Sequence, residues 1–425
     1  MLISPHPPNQ PPMTIIQTDS APGQFRDRFR IPRGPDGKDA LYLVGNSLGA
    51  QPEGAADAVN AQLERWASLG VVGHFDGPTP WLEFQRFGID TLAELVGAKR
   101  HEVVVMNTLT INLHLMLTSF FRPRAQRRRI VMERGSFPSD RYAVVSQIQW
   151  HGLDAERDLA ELAPRRDRLH HEEDLEDYLE RYGDQVAMVL WPGVQYATGQ
   201  VFDLARIGRA CRKAGCVFGL DLAHAVGNVP LDLHETGADF AVWCSYKYLN
   251  SGPAAVAGCF VHERHRDFDG PRLAGWWGHD EHSRFRMGPD FKPMRGAEGW
   301  QLSEPPILTL APLWASLDLF AEAGGIDALR RQSLELTGHL AHRIQERLAE
   351  RIHILTPLEP HRRGCQLSLQ VRAGRETGRK LFERLEARGV ICDWREPDII
   401  RAAPVPLYNT IEEVETLVDL IDKLL

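Results

Sequence analysis

The chain has 425 residues, 43% of them apolar and 25% charged, with 17 Phe and 10 Trp. That apolar content can offset chain entropy, which excludes general disorder, and the length predicts roughly two or three domains. A formal net charge of −8 argues against a nucleic-acid partner, which would call for a neutralising basic face. No run approaches the ~18–20 consecutive apolar residues of a membrane span. The start, MLISPHPPNQPPM, has neither the basic nor the apolar region of a secretory signal. The expectation is a cytoplasmic protein without a membrane or nucleic-acid partner.

Residues 1–38 are Pro-rich and weakly patterned, and read as an irregular arm. Helical periodicity follows over 53–69 and 81–96. A strand over 102–106 feeds a helix over 109–120; strand 130–132 precedes helix 139–150, and strand 186–191 precedes helix 203–214. Strands 216–221, 239–244 and 255–262 come next. Short apolar runs separated by amphipathic helices are the pattern of βα units on a mainly parallel sheet covered on both faces. A loop-rich stretch over 270–306 leads to helices over 308–350. The remainder reads as strand 366–371, helix 375–388, strands 390–394 and 398–403, and helix 410–425. This predicts an α/β fold in three parts. Residues 1–52 form an arm that joins the small domain, 53–310 a large domain, and 311–425 a small α+β domain.

The common catalytic signatures are missing. No GxGxxG follows a strand, and there is no GxxxxGK[ST], GxSxG or HExxH. The six cysteines show no CxxC and no zinc spacing, and read as core thiols of a reducing compartment. The basic run Arg122–Arg129 reads as a solvated face or loop.

Lysine usage is more informative: seven lysines stand against 42 arginines. Six of them sit beside charged residues or proline, whereas Lys247 follows an apolar run in FAVWCSYKYLNSG. Asp221 closes the buried-type strand CVFGLD, where a carboxylate is costly without a cationic partner. Ligands of open α/β sheets bind at such strand ends. An acid facing a ring nitrogen and a lysine able to form a Schiff base are what a protein supplies to pyridoxal phosphate. Singly, each has a plainer reading, Asp221 as a helix cap and Lys247 as a snorkelling side chain. Together with their neighbours they favour the cofactor. His224 lies three residues after Asp221, and the turn Asn107–Thr110 offers backbone N–H groups and a hydroxyl to a phosphate. Phe137-Pro138-Ser139-Asp140 offers an aromatic face and a second carboxylate.

The chain resembles the kynureninase family within the aspartate-aminotransferase-like, fold type I, pyridoxal-phosphate enzymes. The resemblance is carried by LYLVGNSLGAQP (41–52), MNTLTINLHLM (106–116), FPSDRYA (137–143), GLDLAHAVGNVPLDLHETGADFAVWCSYKYLNSGP (219–253), AGWWGH (274–279) and IRAAPVPLYNT (400–410). It implies a large domain with a seven-stranded-type sheet and hydrolytic Cβ–Cγ cleavage of kynurenine or 3-hydroxykynurenine, in tryptophan breakdown or the supply of NAD precursors. It also implies a homodimer with shared sites. By position, Lys247 would be the Schiff-base lysine, Asp221 the partner of the pyridine nitrogen and His224 its neighbour. Phe137 and Ala223 would flank the ring, with Pro138, Ser139 and Asp140 completing its surroundings. Leu109, Thr110 and Tyr246 would hold the phosphate, Tyr246 also serving as the acid–base group. Trp276, Ser303 and Glu304 would arrive from the second subunit. Arg401 would clamp the substrate carboxylate, and His74 would line the ring pocket. Two positions depart from the family pattern. Pro192 stands where relatives carry a hydroxyl, and Glu304 where animal-type relatives carry an amide. An aminotransferase, a cysteine desulfurase with Cys365 as its thiol, and an inactive pyridoxal-phosphate binder are the competing readings.

Overall fold

A computed structural model of the chain describes residues 21–425. The part of the expected arm before residue 21 lies outside the described residues.

Seven strands make the main sheet: β1 (Val103–Met106), β2 (Arg129–Glu133), β3 (Leu159–Leu162), β4 (Val186–Pro192), β5 (Val217–Asp221), β6 (Phe240–Trp243) and β7 (Ala257–Val261). Their order is β1-β7-β6-β5-β4-β2-β3. β7 runs antiparallel to both its neighbours, and the remaining pairs are parallel. In β1, Val103 and Val105 enter one apolar cluster while Val104 and Met106 enter another; in β2, Val131 faces the first and Ile130 and Met132 the second. Apolar residues on both alternating faces are what a sheet covered by helices on each side requires.

Helix α1 (Gly54–Leu69) packs on the later helix Ile307–Glu322, and among the helices that cover the sheet are α2 (Leu109–Phe120), α3 (Pro138–Trp150), α4 (Glu172–Tyr182) and α5 (Leu204–Ala214). In α5 the Asp203 side chain accepts from the Arg206 N–H, Leu204, Ile207, Gly208 and Cys211 form the buried stripe, and Gly215 stops the helix at φ 67°. Because β1, β2, β4, β5 and β6 share one direction, their C-terminal ends meet at one edge of the sheet. Asn107, Glu133, Pro192, Asp221 and the segment leading to Lys247 are thereby brought together.

Helices α6 (Ile307–Glu322) and α7 (Gly325–Leu348) lead to an antiparallel sheet of β8 (Ile352–Ile354), β9 (Leu367–Val371), β10 (Asp393–Arg395) and β11 (Ile399–Ala402), ordered β8-β9-β11-β10. It is joined by α8 (Arg375–Glu386) and α9 (Ile411–Leu424). Leu336, Leu340, Ile344 and Leu348 of α7 pack into this second core, together with Leu41 and Leu43 from the N-terminal segment. Among the described residues no single helix is long and apolar enough to cross a membrane.

Three sequence expectations are corrected. The stretch 81–96 is a 3-10 turn, Trp81–Arg86, followed by a separate helix, Ile89–Leu95. Gly88 breaks it, and its missing side chain leaves the space taken by the Trp314 ring. The run 390–394 divides at Cys392 because it serves two partners: Val390–Ile391 pairs in parallel with Leu41–Tyr42, while Asp393–Arg395 pairs with β11. Arg127 and Arg128 of the basic run are not simply solvated. Arg127 Nη1 donates to the carbonyls of Val186, Ala214 and Gly215 at 2.8–3.1 Å, and Arg128 Nε lies 2.9 Å from Asp158 Oδ1. Strand β3 and helix α4 went unpredicted. LAEL is short and only partly buried, and α4 buries little apolar surface beyond Leu175 and Leu179.

Candidate active site

A cavity opens over the strand ends. Leu109, Thr110, Phe137, Ser139, Asp140, Asp221, Ala223, His224, Tyr246 and Lys247 all line it, as does Pro192. Residues expected from distant segments of the chain are thus brought together by the parallel strand order.

Lys247 is fixed from behind by the N-terminal segment. The Gly49 N–H donates to the Tyr246 carbonyl at 2.8 Å, and a Cβ at Gly49 would collide with the Lys247 carbonyl and with Asn250. In front, Lys247 Nζ lies 3.0 Å from His224 Nε2 and 5.9 Å from the centre of the Phe137 ring. Burial, reinforced by the Lys247 charge, holds the His224 imidazole well below its usual range. The ring is therefore neutral at neutral pH, and Nε2 accepts from the lysine. His224 Nδ1 is buried and has no partner.

Asp221 Oδ1 accepts from the Ala223 N–H at 2.8 Å. Asp140, delivered by the first turn of α3, lines the same cavity. Burial, with the Asp221 charge next, pushes the Asp140 carboxyl well above its usual range. Asp140 Oδ1 is buried without a partner. Burial likewise raises the Tyr246 phenol, which stays protonated at neutral pH. At the other end of the cavity, Thr108 precedes α2 without a side-chain cap, leaving the first N–H groups of that helix available. Thr110 Oγ1 lies 2.9 Å from Ser139 Oγ there.

These features fit pyridoxal phosphate. An uncapped helix N-terminus with two hydroxyls suits a phosphate, and a carboxylate at the end of β5 suits a protonated ring nitrogen. Phe137 is 42% exposed and presents an apolar face to the cavity. Two buried polar atoms without partners, Asp140 Oδ1 and His224 Nδ1, border the same space.

Arg401 is 1% exposed and abuts the cavity wall. Its Nη1 donates to the carbonyl of Tyr196, a lining residue, at 2.6 Å, and its Nε to Asp393 Oδ1 at 2.6 Å. Pro138 occupies the first turn of α3 just outside the lining. His74, Trp276, Ser303 and Glu304 do not reach this chain's cavity. His74 and Glu304 pair with each other instead, Nε2 to Oε2 at 3.7 Å, beside the Trp81 ring at 5.1 Å. The departing residue Glu304 thus meets an imidazole, while burial raises its carboxyl and its Oε1 has no partner.

Sequence reasoning passed over Glu133, Tyr196 and Asp393. Glu133 closes β2 as Asp221 closes β5, so the same signal, an acid ending a buried strand, was there to be read. Cys365 is 1% exposed, and burial pushes its thiol up to about 12, unlike the accessible low-pKa thiol a desulfurase needs. Glu102, His234 and His262 come within metal-ligating reach of one another, but their facing atoms are already engaged. Glu102 accepts from the N–H groups of Lys99 and Glu263 and lies 2.9 Å from His234 Nδ1, while His262 Nδ1 accepts from the Arg264 N–H. This is a hydrogen-bonded staple between loops.

Among solved structures, the chain is similar to the apo structure of a cysteine desulfurase from Thermococcus onnurineus NA1, with a TM-score of 0.75 and 18% identity over 93% of this chain and 98% of that one. It is also similar to the cysteine desulfurase CsdA from Escherichia coli, with a TM-score of 0.71 and 20% identity over 94% and 97%. At such identities the likeness shows the fold. That fold, with a lysine and an acid at the strand ends, defines a pyridoxal-phosphate-dependent enzyme. A family model described as "Kynureninase C-terminal domain" matches residues 329–421. Proteins named kynureninase from Xanthomonas oryzae pv. oryzae PXO99A and Xanthomonas euvesicatoria pv. vesicatoria 85-10 are 56% and 55% identical to the chain. The matches cover 93% and 94% of both partners respectively. The chain belongs to the kynureninase family.

Proposed function

We infer that the protein hydrolyses the Cβ–Cγ bond of L-kynurenine or 3-hydroxy-L-kynurenine, taking up one water and releasing L-alanine with anthranilate or 3-hydroxyanthranilate. The observation that carries this reading is the lysine–histidine–carboxylate cavity in a chain 56% identical over 93% of its length to a kynureninase. Thr110, Ser139 and the α2 N-terminus would hold the cofactor's phosphate, Asp221 its ring nitrogen and Lys247 its aldehyde. When bound, pyridoxal phosphate withdraws electrons from the substrate's Cα and so makes bonds one carbon further on labile.

The chain's own groups do the rest. Arg401 binds the substrate carboxylate, for which its planar fork is suited, after giving up Asp393. Lys247 takes the α-proton, and neutral His224 beside it accepts a hydrogen bond without adding a competing positive charge. Tyr246, protonated at neutral pH, donates to the γ-carbonyl oxygen as water adds there. Asp140, whose carboxyl burial pushes well above its usual range, lines the cavity together with Asp221.

The working unit in this reading is a homodimer. Val71, Phe75, Trp276, Phe285 and Met287 leave large apolar side chains exposed around His74 and Glu304, a patch suited to a second copy. His74, Ser303, Glu304 and Trp276 would then complete the partner's cavity from across the interface.

The test is product analysis with pyridoxal phosphate and each substrate in separate reactions. Alanine in equal amount to the matching anthranilate is expected. A keto acid in place of alanine would support the aminotransferase reading, and no turnover of either substrate would sink the proposal. Borohydride treatment should fix the cofactor to the peptide containing Lys247, and Lys247→Ala should abolish both labelling and turnover.

A further inference from the structure

Helix α5 ends in a closed turn flanked by two cysteines. The Gly215 N–H donates to the Arg212 carbonyl and the Cys216 N–H to the Cys211 carbonyl, both at 3.2 Å, with Gly215 in the left-handed region at φ 67°. This is a Schellman motif, whose first and last residues commonly bring their side chains into contact. Here those residues are Cys211 and Cys216. Cys211 belongs to the main apolar core and Cys216 packs against the same core. Cys216 Sγ lies 3.5 Å from the Cys211 carbonyl oxygen. The 3.2 Å bond between their backbones holds the two Cα atoms near the ~4.4–6.8 Å that a disulfide spans.

The pair differs from the other thiols in access and in charge. Cys216 is half-buried, whereas the other five cysteines are buried. Arg127 Nη1 donates to the carbonyls of Ala214 and Gly215 at 3.1 Å, and no carboxylate pairs with Arg127 among the described residues. Its charge offsets the negative end of α5 and favours a thiolate at the turn. Asp239, the acid that acts on both thiols, is committed to Arg264 at 2.8 Å and His265 at 2.7 Å. The Cys211 thiol, with Arg127 adding to it, holds the Cys216 thiol below its usual range. The Cys216 thiol, with burial next, holds Cys211 well above it. Burial raises Cys244, Cys259, Cys365 and Cys392 as well.

We propose that Cys211 and Cys216 form a reversible thiol–disulfide site that reacts with low-molecular-weight disulfides. The Cys216 thiolate attacks one sulfur of the reagent, forming a mixed disulfide and releasing one thiol. Cys211 then gives up its proton and attacks Cys216 Sγ, which closes the protein disulfide and releases the second thiol. The two cysteines lose two electrons and the reagent gains them. The bridge ties the end of α5 to the start of β5, the strand that ends in Asp221. Neither cysteine lines the cavity, so the site is independent of the substrate taken there.

The full-length holoenzyme, incubated with oxidised glutathione at neutral pH, then denatured, alkylated and digested with trypsin, tests this. Two of the six thiols should be lost, with no glutathione retained. Trypsin cuts after Arg212 and Lys213, so the bridge should join two peptides that reduction separates. Fragmentation tells Cys216 from Cys244 on the second peptide. In Cys211→Ser, glutathione should stay on Cys216 as a mixed disulfide. In Cys216→Ser, Cys211 should react about tenfold more slowly than that, because it is buried and its thiol is raised. Six free thiols, glutathione retained on wild-type Cys216 with Cys211 alkylated, or a bridge to another cysteine would each overturn the proposal. Cys211 reacting as fast by itself as Cys216 would overturn the order of attack.

Discussion

Asp393 and Arg401 stand directly opposite each other on adjacent antiparallel strands, and the Asp393 carboxylate takes the guanidinium fork with both oxygens. The arginine assigned to the substrate carboxylate is therefore already satisfied by a carboxylate of its own chain. In the proposed reading, binding is an exchange of one carboxylate for another, and Asp393 keeps Arg395, whose Nη2 lies 2.9 Å away, as a second partner. Arg401→Lys should raise KM about tenfold or more, equivalent to at least ~1.4 kcal/mol, because an ammonium cannot make the two-point contact. Steady-state kinetics read this directly. Asp393→Asn should lower stability by about 3 kcal/mol, since the buried guanidinium loses its counter-charge; a denaturant midpoint checks it.

Lys247 depends on a glycine nearly two hundred residues earlier. Gly49→Ala would push a methyl group into the Lys247 carbonyl and Asn250, both parts of a tightly held turn. The expected outcome is a loss of about 1–3 kcal/mol in stability. Pyridoxal-phosphate affinity should fall with it because the lysine backbone must shift. Wild-type affinity in a folded Gly49→Ala variant would show that the N-terminal segment does not brace the lysine.

The neutral state of His224 has a consequence for pH. Its folded-state value lies well below the ordinary 6.5, so between those two values the unfolded chain binds a proton that the folded chain does not. Stability therefore falls as pH drops below about 6.5, with a slope of up to ~1.4 kcal/mol per pH unit from this group. His224→Gln should flatten that acid limb by one proton. Denaturant titrations across the acid range measure the difference in slope.

The proposed completion of each cavity by a second copy can be tested by complementation. Lys247→Ala and Trp276→Ala should each be inactive or nearly so. Mixed and reassembled, they should recover up to about a quarter of wild-type activity, because half the dimers are mixed and each holds one intact site. No recovery from demonstrably mixed dimers would mean that Trp276 serves its own chain's cavity.

Much of this protein is decided locally. The helix from Leu109 to Phe120 ends where its apolar run ends. The alternation of β1 and β2 is written in runs of branched residues, and Asp221 and Lys247 stand out because a charged residue closes or follows an apolar run. The sequence also carries the family, through motifs spread over most of its length. Tertiary structure decided which strand ends are neighbours. The order β5-β4-β2 brings Glu133 to the same cavity as Asp221 and Asp140, a relation no local spacing contains. It decided that Asp393 occupies the fork of Arg401, because residues 390–394 divide between two sheets. It also left His74 and Glu304 on an exposed aromatic patch, away from this chain's lysine. Hydrophobic period and turn chemistry act over a few residues and are legible in order along the chain, whereas the charges and hydrogen bonds of the site depend on which distant segments the core packs together.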